Sequence, residues 1–277
     1  MRKFSPFFLI SALMLAFTMV GCQKEIQLDL RDAATKYVLE GNLDDSTGFK
    51  LRITQSKPFY DDNTFNPIST ASVVVSDDAG NSYTIPYDTS GYYIDTTLLA
   101  VAGRTYTVQV NDNGNEFVSS ATVSQKTPIK KVTIGSFNFG GGPDGPGIVR
   151  FLQVWYDEHP GTGDHYRVIY NNPNDPKSLS SINLQDDRFG DGIETQILIF
   201  SGRGGDEGAL EIGDTVSVSL QSIDKAAYDY FYTLDLISGG GGGGAITPTD
   251  PTSNWSNKAL GVFVATTIDG KSVVIDK

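Results

Sequence analysis

Residues 70–87 decide the fold class, and they have the sequence TASVVVSDDAGNSYTIPY. Two short runs rich in Val, Thr, Tyr and Ile, which are enriched in β-strands, lie on either side of residues 78–81. Asp, Gly and Asn in that central segment tolerate the positive φ angles that tight hairpin turns require. The stretch therefore predicts two antiparallel strands joined by a short turn.

The same pattern extends in both directions along the chain. Seven β-rich runs are found before residue 125: KYVLEGNL (36–43), KLRITQS (50–56), TASVVVS (70–76), NSYTIPY (81–87), GYYIDT (91–96), RTYTVQV (104–110) and EFVSSATV (116–123). Residues 111–115, rich in Asn and Asp with one Gly, predict a second hairpin turn. This spacing is typical of an immunoglobulin-like β-sandwich, which we predict for residues 35–125. Residues 125–128, QKTP, interrupt the pattern and predict a domain boundary.

Residues 129–277 are predicted to form a second β-rich domain with one helix and glycine-rich loops. Its predicted strands are 132–137, 148–156, 166–170, 195–200 and 214–223, followed by GVFVATTI and SVVI, which Asp269-Gly270-Lys271 joins. Ala227, Phe231 and Leu234 have helical spacing, with Ser222 or Asp224 as candidate N-cap and Gly239 as terminator. The apolar stripe of this helix is expected to pack on a sheet, and the alternative is a partner-binding helix. The fold class predicted for the whole chain is all-β.

The first 21 residues have the three parts of an export signal. Arg2 and Lys3 precede an apolar run at 7–20, and the small residue Gly21 follows it. A membrane-spanning helix is the alternative interpretation, because residues 4–21 carry no charge and approach the roughly 17–25 residues that span a bilayer. Pro6 inside that window and the sequence MVGC at 19–22, which resembles a bacterial lipobox, favour a lipoprotein signal peptide over residues 1–21.

Cys22 is the single cysteine of the chain and cannot form an internal disulfide. We therefore predict that Cys22 is the lipid attachment site, followed by a tether at residues 22–34. Acyl chains on the sulfur and on the new amino terminus exceed the two signals that stable membrane anchoring requires. Gln23 replaces the aspartate that typically retains lipoproteins at the inner membrane. The expected location is the outer membrane, on its periplasmic or cell-surface face.

The mature chain would be strongly acidic. Loss of Arg2 and Lys3 lowers the Lys and Arg count from 21 to 19 against 33 Asp and Glu, which gives a net charge of −14. Such a surface repels phosphate backbones, so nucleic acid is excluded as an expected partner.

Several short motifs, in their order with the lipobox, resemble one known family. They occur at residues 40–41, 69–73, 78–80, 91–93, 103–106, 187–192, 213–216 and 260–263, although Val262 stands where an aromatic residue is usual. The chain resembles the Gram-negative lipoprotein family called domain of unknown function 4249 (DUF4249), whose members are often encoded beside TonB-dependent outer-membrane receptors. The first module is also similar to carboxypeptidase-regulatory-like and transthyretin-like sandwiches. The resemblance implies a TonB-dependent outer-membrane receptor as partner, and it implies no reaction.

Two acidic segments could hold a metal ion. Asp157, Glu158 and His159 precede the turn at 160–163, and Asp164 and His165 follow it. Because this spacing matches no known ligand motif, a solvated hairpin is the favoured interpretation.

The second acidic segment, at 187–192, has the order DRFGDG, which is similar to part of a calcium loop. Phe189 and Gly190 occupy positions where oxygen ligands would be expected. We therefore predict no metal site and no cofactor.

The glycine runs predict loops rather than a nucleotide site. Residues 239–244 are six glycines followed by AITP, without the Lys and Ser or Thr of a phosphate-binding loop, and residues 140–147 are a second cluster. No Gly-x-Ser-x-Gly motif occurs, so no enzyme is predicted. These loops, with Phe59, Tyr60, Phe65 and Trp255, are the candidate contact surface, and the alternative is that these aromatic side chains are buried.

The function expected from these features is a non-catalytic outer-membrane lipoprotein that binds or delivers cargo at a TonB-dependent receptor. The ligand itself is not indicated by any motif. A structural or adhesive cell-envelope lipoprotein is the second interpretation, and a surface hydrolase is the third. The hydrolase is disfavoured because the sequence contains no recognisable set of nucleophile, acid and base.

Overall fold

The computed structural model describes residues 34–58, 61–138, 148–175, 177–200, 209–238 and 249–276. The predicted signal peptide, Cys22, Phe59, Tyr60 and both glycine runs lie outside the described residues. The chain divides into two compact units, and the larger one, Thr35–Lys57 with Asp62–Lys277, contains every element given below.

Fourteen strands among the described residues form three sheets, accompanied by one α-helix. The strands are β1 (Tyr37–Asp44), β2 (Gly48–Gln55), β3 (Ser72–Asp77), β4 (Ser82–Ile85), β5 (Tyr93–Asp95), β6 (Thr105–Asp112), β7 (Asn115–Thr122), β8 (Ile129–Asn138), β9 (Ile148–Asp157), β10 (His165–Asn171), β11 (Asn183–Asp186), β12 (Glu194–Phe200), β13 (Thr215–Ile223) and β14 (Leu260–Val274). Helix α1 is Lys225–Ile237, and Ser178–Ser180 and Asp187–Phe189 are short 3-10 turns. The sheet orders are β11-β10-β13-β14-β1-β2-β5, β12-β9-β8 and β4-β3-β6-β7.

The predicted all-β, sandwich-like fold is confirmed. Both predicted hairpins are formed, because β3 pairs antiparallel with β4 and β6 pairs antiparallel with β7. The second turn contains Asn113 and Gly114, which have φ angles of 47° and 79°. Positive φ at two consecutive turn residues is the geometry that makes Asn-Gly a strong hairpin signal.

The first core lies between the four-stranded sheet and one face of the seven-stranded sheet. Alternate residues of β1 and β2, such as Leu39 and Leu51, meet alternate residues of β3 and β6, such as Val75 and Val108, and all four are fully buried. Since side chains alternate between the faces of a strand, the two-residue period in the sequence is what places them in one layer.

Strand β14 differs from its prediction as two strands joined by a turn at 269–271. It is one continuous strand whose first half pairs parallel with β1 and whose second half pairs antiparallel with β13. Gly270 lies opposite Ser219 in this pairing. The local turn signal is therefore overridden by a partner strand that only the tertiary fold supplies.

The seven-stranded sheet takes strands from both sides of the predicted domain boundary. Residues 125–128 connect β7 to β8, whereas β14, from the end of the chain, is hydrogen-bonded to β1 near its beginning. Separate folding of residues 35–125 and 129–277 stays a prediction, and the shared sheet couples the two parts.

A second core and a third, smaller one lie on opposite faces of β10 and β13. On one face, Tyr166, Val168 and Val218 pack with residues of β9 and β12 from the three-stranded sheet. On the other face, Ile223 packs with Ala227 and Phe231 of α1 and with residues of β14. Helix α1 therefore covers the part of the seven-stranded sheet from β11 to β14, and a depression lies along each side of the helix.

Candidate functional site

Helix α1 is held on the sheet by its cap and by its apolar stripe. The Asp224 carboxylate accepts a hydrogen bond from the Ala227 backbone N–H at 2.9 Å, so Asp224 rather than Ser222 is the N-cap. Ala227 and Phe231 are buried and Leu234 packs beside them, as the helical spacing predicted. Ser222 is instead buried, and its hydroxyl donates to Thr127 Oγ1 at 3.2 Å.

A cleft of about 240 Å³ lies between α1 and the sheet. The alternation and register of the strands place Glu40 of β1, Val262 and Val264 of β14, and Arg167 of β10 on the face that α1 covers. Tyr230, Phe231 and Leu234 form the helix side of the cleft. Its walls are thus largely aliphatic and aromatic, with a guanidinium, a carboxylate and a phenol among them.

Arg167 is the unusual member of this lining. Its guanidinium carbon lies 3.9 Å from the centre of the Phe231 ring, and Nη1 donates a long 3.4 Å hydrogen bond to Gln221 Oε1. The buried Nε atom has no hydrogen-bond partner in the protein. Arg167 forms no ion pair with any carboxylate in the part of the chain that the structure describes. Burial lowers the pKa of Arg167 to about 10, so the guanidinium still carries its charge at neutral pH.

Tyr230 is influenced by both charged groups of the cleft. Burial raises the pKa of its phenol, the negative charge of Glu40 raises it further, and the positive charge of Arg167 opposes the rise. Tyr230 is therefore a neutral hydroxyl at physiological pH and a potential donor to an anion. Glu40 is exposed on β1, which places the anionic group of the cleft toward solvent.

The depression on the other side of α1 has a volume of about 320 Å³, but its charges are already paired. Asp186 accepts from Arg188 at 2.7 Å and from the Tyr228 hydroxyl at 3.1 Å. The Lys225 ammonium contacts Asp229 at 2.6 Å, one helical turn away. The Tyr228–Asp186 hydrogen bond connects α1 to β11, and the paired charges make the depression a structural feature.

The acidic segments at 157–165 and 187–192 are hydrogen-bonded to each other. Glu158 is buried and accepts from the Gly192 backbone N–H, while Asp191 accepts from the Gly161 N–H at 2.7 Å. The Asp187 carboxylate accepts from the backbone N–H groups of Gly163 and Asp164. No cluster of three His, Cys, Asp or Glu side chains suited to a metal occurs among the described residues.

The predicted hairpin at 157–165 is wrong. Strand β9 belongs to the three-stranded sheet and β10 to the seven-stranded sheet, so this segment is a connection between two sheets. His165 packs its ring 4.7 Å from that of Tyr228 on α1.

Two aromatic residues of the predicted contact surface can be placed. Phe65 is exposed over 41% of its surface, whereas Trp255 is only 6% exposed. The Trp255 indole N–H donates to the Leu39 carbonyl at 3.0 Å, so Trp255 belongs to the first core and its prediction as a contact residue is wrong.

Sequence reasoning did not single out Arg167, the central residue of the cleft. The sequence contains only a weak signal for Arg167, which is the single cation in the run YRVIY. Residues 166, 168 and 170 of that run are buried on one face of the strand. That alternation places Arg167 on the opposite face, but only the structure shows that α1 covers it.

The family model described as domain of unknown function (DUF4249) matches residues 23–272. The chain belongs to the DUF4249 family. The match confirms the resemblance inferred from the short motifs and extends over both β-rich parts of this DUF4249 protein. A comparison with curated proteins found no match. Of the helical segments described for this DUF4249 protein, none is long and apolar enough to cross a membrane.

Proposed function

We propose that this protein is an outer-membrane-anchored lipoprotein that binds a small ligand without transforming it and assists a TonB-dependent receptor in nutrient uptake. The observation that carries the binding role is the cleft beside α1, in which the Arg167 cation lacks a carboxylate partner within the described residues. A partly buried charge without a counterion loses hydration, and a ligand anion would supply the missing partner.

The composition of the cleft supports binding over turnover. Ligand sites are typically lined by apolar and aromatic side chains with a few polar groups that orient the ligand. The described residues around the cleft fit that composition, with Val262, Val264 and Leu234 beside Arg167 and Tyr230. They contain no Ser or Cys paired with a base, the arrangement that nucleophilic catalysis requires.

The anchoring part of the proposal is supported by the sequence alone. The lone Cys22 follows an apolar run and a lipobox-like MVG, and membrane attachment through acyl chains would hold the β-rich unit at the envelope. The receptor as partner is implied by the family resemblance. A structural or adhesive lipoprotein is the alternative, and it would have neither a receptor partner nor a role in uptake.

Cys22→Ala tests the anchor, with Ser11→Ala in the same apolar run as the control. In cells fed a fatty-acid analogue, the wild type and Ser11→Ala should be labelled and partition into detergent, whereas Cys22→Ala should be unlabelled. An unlabelled, soluble wild-type protein would contradict the lipoprotein assignment.

Mild detergent extraction of the native outer membrane tests the partnership. A TonB-dependent β-barrel should copurify with the wild-type protein, and gene deletion should slow growth on a nutrient that the barrel imports. Normal uptake after deletion would favour the structural or adhesive alternative.

A further inference from the structure

Arg167 offers hydrogen-bond donors that the protein does not use. A guanidinium has five N–H donors in a planar fork, and that geometry matches the two oxygens of a carboxylate. In Arg167 the fork makes one long bond, to Gln221, and Nε makes none within the protein. Nε itself is buried, so a carboxylate entering the cleft would meet a cation that has no carboxylate partner among the described residues.

The guanidinium is also held in place. Tyr166 and Val168, its neighbours on β10, are buried in the core on the other face of the sheet and fix the strand. The Phe231 ring lies against the guanidinium at 3.9 Å and restricts its movement. Binding to a cation that is already positioned avoids much of the ordering cost that a mobile surface Arg would impose.

Glu40 supplies a negative charge at a distance from Arg167. The two residues are on β1 and β10, which β14 and β13 separate in the sheet, so their backbones are about 14 Å apart at about 4.8 Å per strand. Both side chains line the same cleft. A single amino acid carries its ammonium and carboxylate groups on one carbon atom. Each residue of an extended peptide increases the distance between its two charged ends by about 3.3 Å, so a peptide matches two separated charges better than an amino acid does.

The surface between the two charges is apolar. Val262 and Val264 lie on β14 between Glu40 and Arg167, and Leu234 faces them from α1. Aliphatic side chains of a ligand would bury apolar area here, which is favourable at about 25 cal/mol per Å². The volume of about 240 Å³ limits the ligand to a few residues.

We infer that the cleft binds a short apolar peptide with free ends, its terminal carboxylate on Arg167 and its terminal ammonium toward Glu40. Tyr230 donates its hydroxyl hydrogen to the same carboxylate. This inference rests on the proposed ligand-binding role and names the ligand class for it. It does not depend on the lipid anchor or on the receptor.

Isothermal titration of the detergent-solubilised full chain with four probes tests the ligand class. Divaline should bind, and divaline amide should bind at least tenfold more weakly because it lacks the terminal carboxylate. N-acetyl-divaline should bind about threefold more weakly than divaline, because it has no ammonium group to interact with Glu40. Free valine should bind at least tenfold more weakly than divaline. Equal affinities for divaline and its amide would overturn the inference.

Three variants test the residues. Arg167→Met should weaken divaline binding at least tenfold with no decrease in melting temperature, and Lys258→Met, which removes an exposed cation that does not line the cleft, should bind as the wild type does. Glu40→Gln should weaken divaline binding about threefold but leave N-acetyl-divaline unaffected. Unchanged binding by Arg167→Met would overturn the site.

The two proposals fail in different experiments. If none of the four probes binds while receptor copurification and the uptake defect are observed, the peptide ligand is wrong and the accessory role stands. If divaline binds as described but deletion leaves uptake normal, the site stands and the receptor partnership is wrong.

Discussion

The guanidinium of Arg167 stacks on the ring of Phe231 at 3.9 Å, and this contact takes the place of an ion pair among the described residues. A desolvated cation–π contact contributes about 2 kcal/mol, whereas burial of an uncompensated charge costs several kcal/mol even after relaxation. The lowered pKa of Arg167, about 10, has the same cause, since burial disfavours the charged form. Partial burial of Arg167 without a carboxylate partner among the described residues therefore lowers the stability of the fold.

Arg167→Met should increase stability. Methionine preserves the length and the packing against Phe231 but removes the uncompensated charge, and the free energy of unfolding should rise by about 1 kcal/mol. Urea denaturation at pH 7 measures the change. Lys258→Met removes an exposed cation that does not line the cleft and should change stability by less than about 0.5 kcal/mol. A loss of stability in Arg167→Met would show that Arg167 is a structural residue.

Gly261 at the start of β14 should not tolerate a side chain. Its φ is 94°, and a Cβ atom there would clash with the Leu39 carbonyl oxygen. Strain and clash together predict that Gly261→Ala costs about 4 kcal/mol, measured by urea denaturation. Gly103, with φ of 82° and nothing within 4 Å of a Cβ, is the matched control, and Gly103→Ala should cost only about 1 kcal/mol. Equal costs would mean that β14 does not approach β1 this closely.

Trp255 and Trp155, the two tryptophans of the chain, allow a direct test of burial. In Trp155→Phe the remaining Trp255 should be protected from acrylamide quenching, because it is 6% exposed. In Trp255→Phe the remaining Trp155, which is partly exposed, should be quenched more strongly. Trp255→Phe should also cost about 2 kcal/mol, since the Leu39 carbonyl loses a buried donor and a smaller ring fills the site. Strong quenching of Trp255 would restore its prediction as a contact residue.

The strands could be predicted wherever their signal is local. The alternation in 72–76 and 105–110 places Val73, Val75 and Val108 in the core regardless of what the rest of the chain does. β14 could not be predicted as one strand, because Asp269-Gly270-Lys271 is a turn signal that pairing with β13 overrides. β11, with the sequence NLQD, was not predicted because it has no β-branched or aromatic residue.

The candidate site depends on contacts between distant parts of the chain. The cleft joins β1, β10, α1 and β14, and no segment shows by itself that Arg167 will meet Phe231 or share a cleft with Glu40. The acidic segment around residue 158 could be recognised in the sequence. The sequence did not show that the Glu158 side chain is buried and accepts a hydrogen bond from the Gly192 N–H. Sequence pattern identifies which face a side chain is on, whereas the element that covers that face is set by tertiary packing.

Asp44 should make stability depend on pH. Its carboxylate is 2% exposed and accepts from the backbone N–H groups of Ser46 and Thr47 at 2.8 and 2.5 Å and from both hydroxyls. Burial alone would raise the pKa of Asp44, but these hydrogen bonds outweigh it and hold the pKa below its ordinary value. The folded state therefore favours the ionised form and contributes stability above the unfolded-state pKa of about 3.9.

Asp44→Asn should remove that contribution. The amide presents its own N–H₂ group to donors that need an acceptor, so the free energy of unfolding at pH 7 should fall by about 2 kcal/mol. The difference from wild type should shrink as the pH falls below about 4, because protonation of Asp44 also removes the ionised acceptor in the wild type. Asp88 accepts from Ser90 and Thr89 in a similar turn but is exposed, so water replaces its bonds and Asp88→Asn should have a much smaller effect. Urea denaturation of both variants between pH 3 and 7 provides the comparison. A difference between wild type and Asp44→Asn that stayed constant over this range would show that the ionised carboxylate is not what closes the β1–β2 turn.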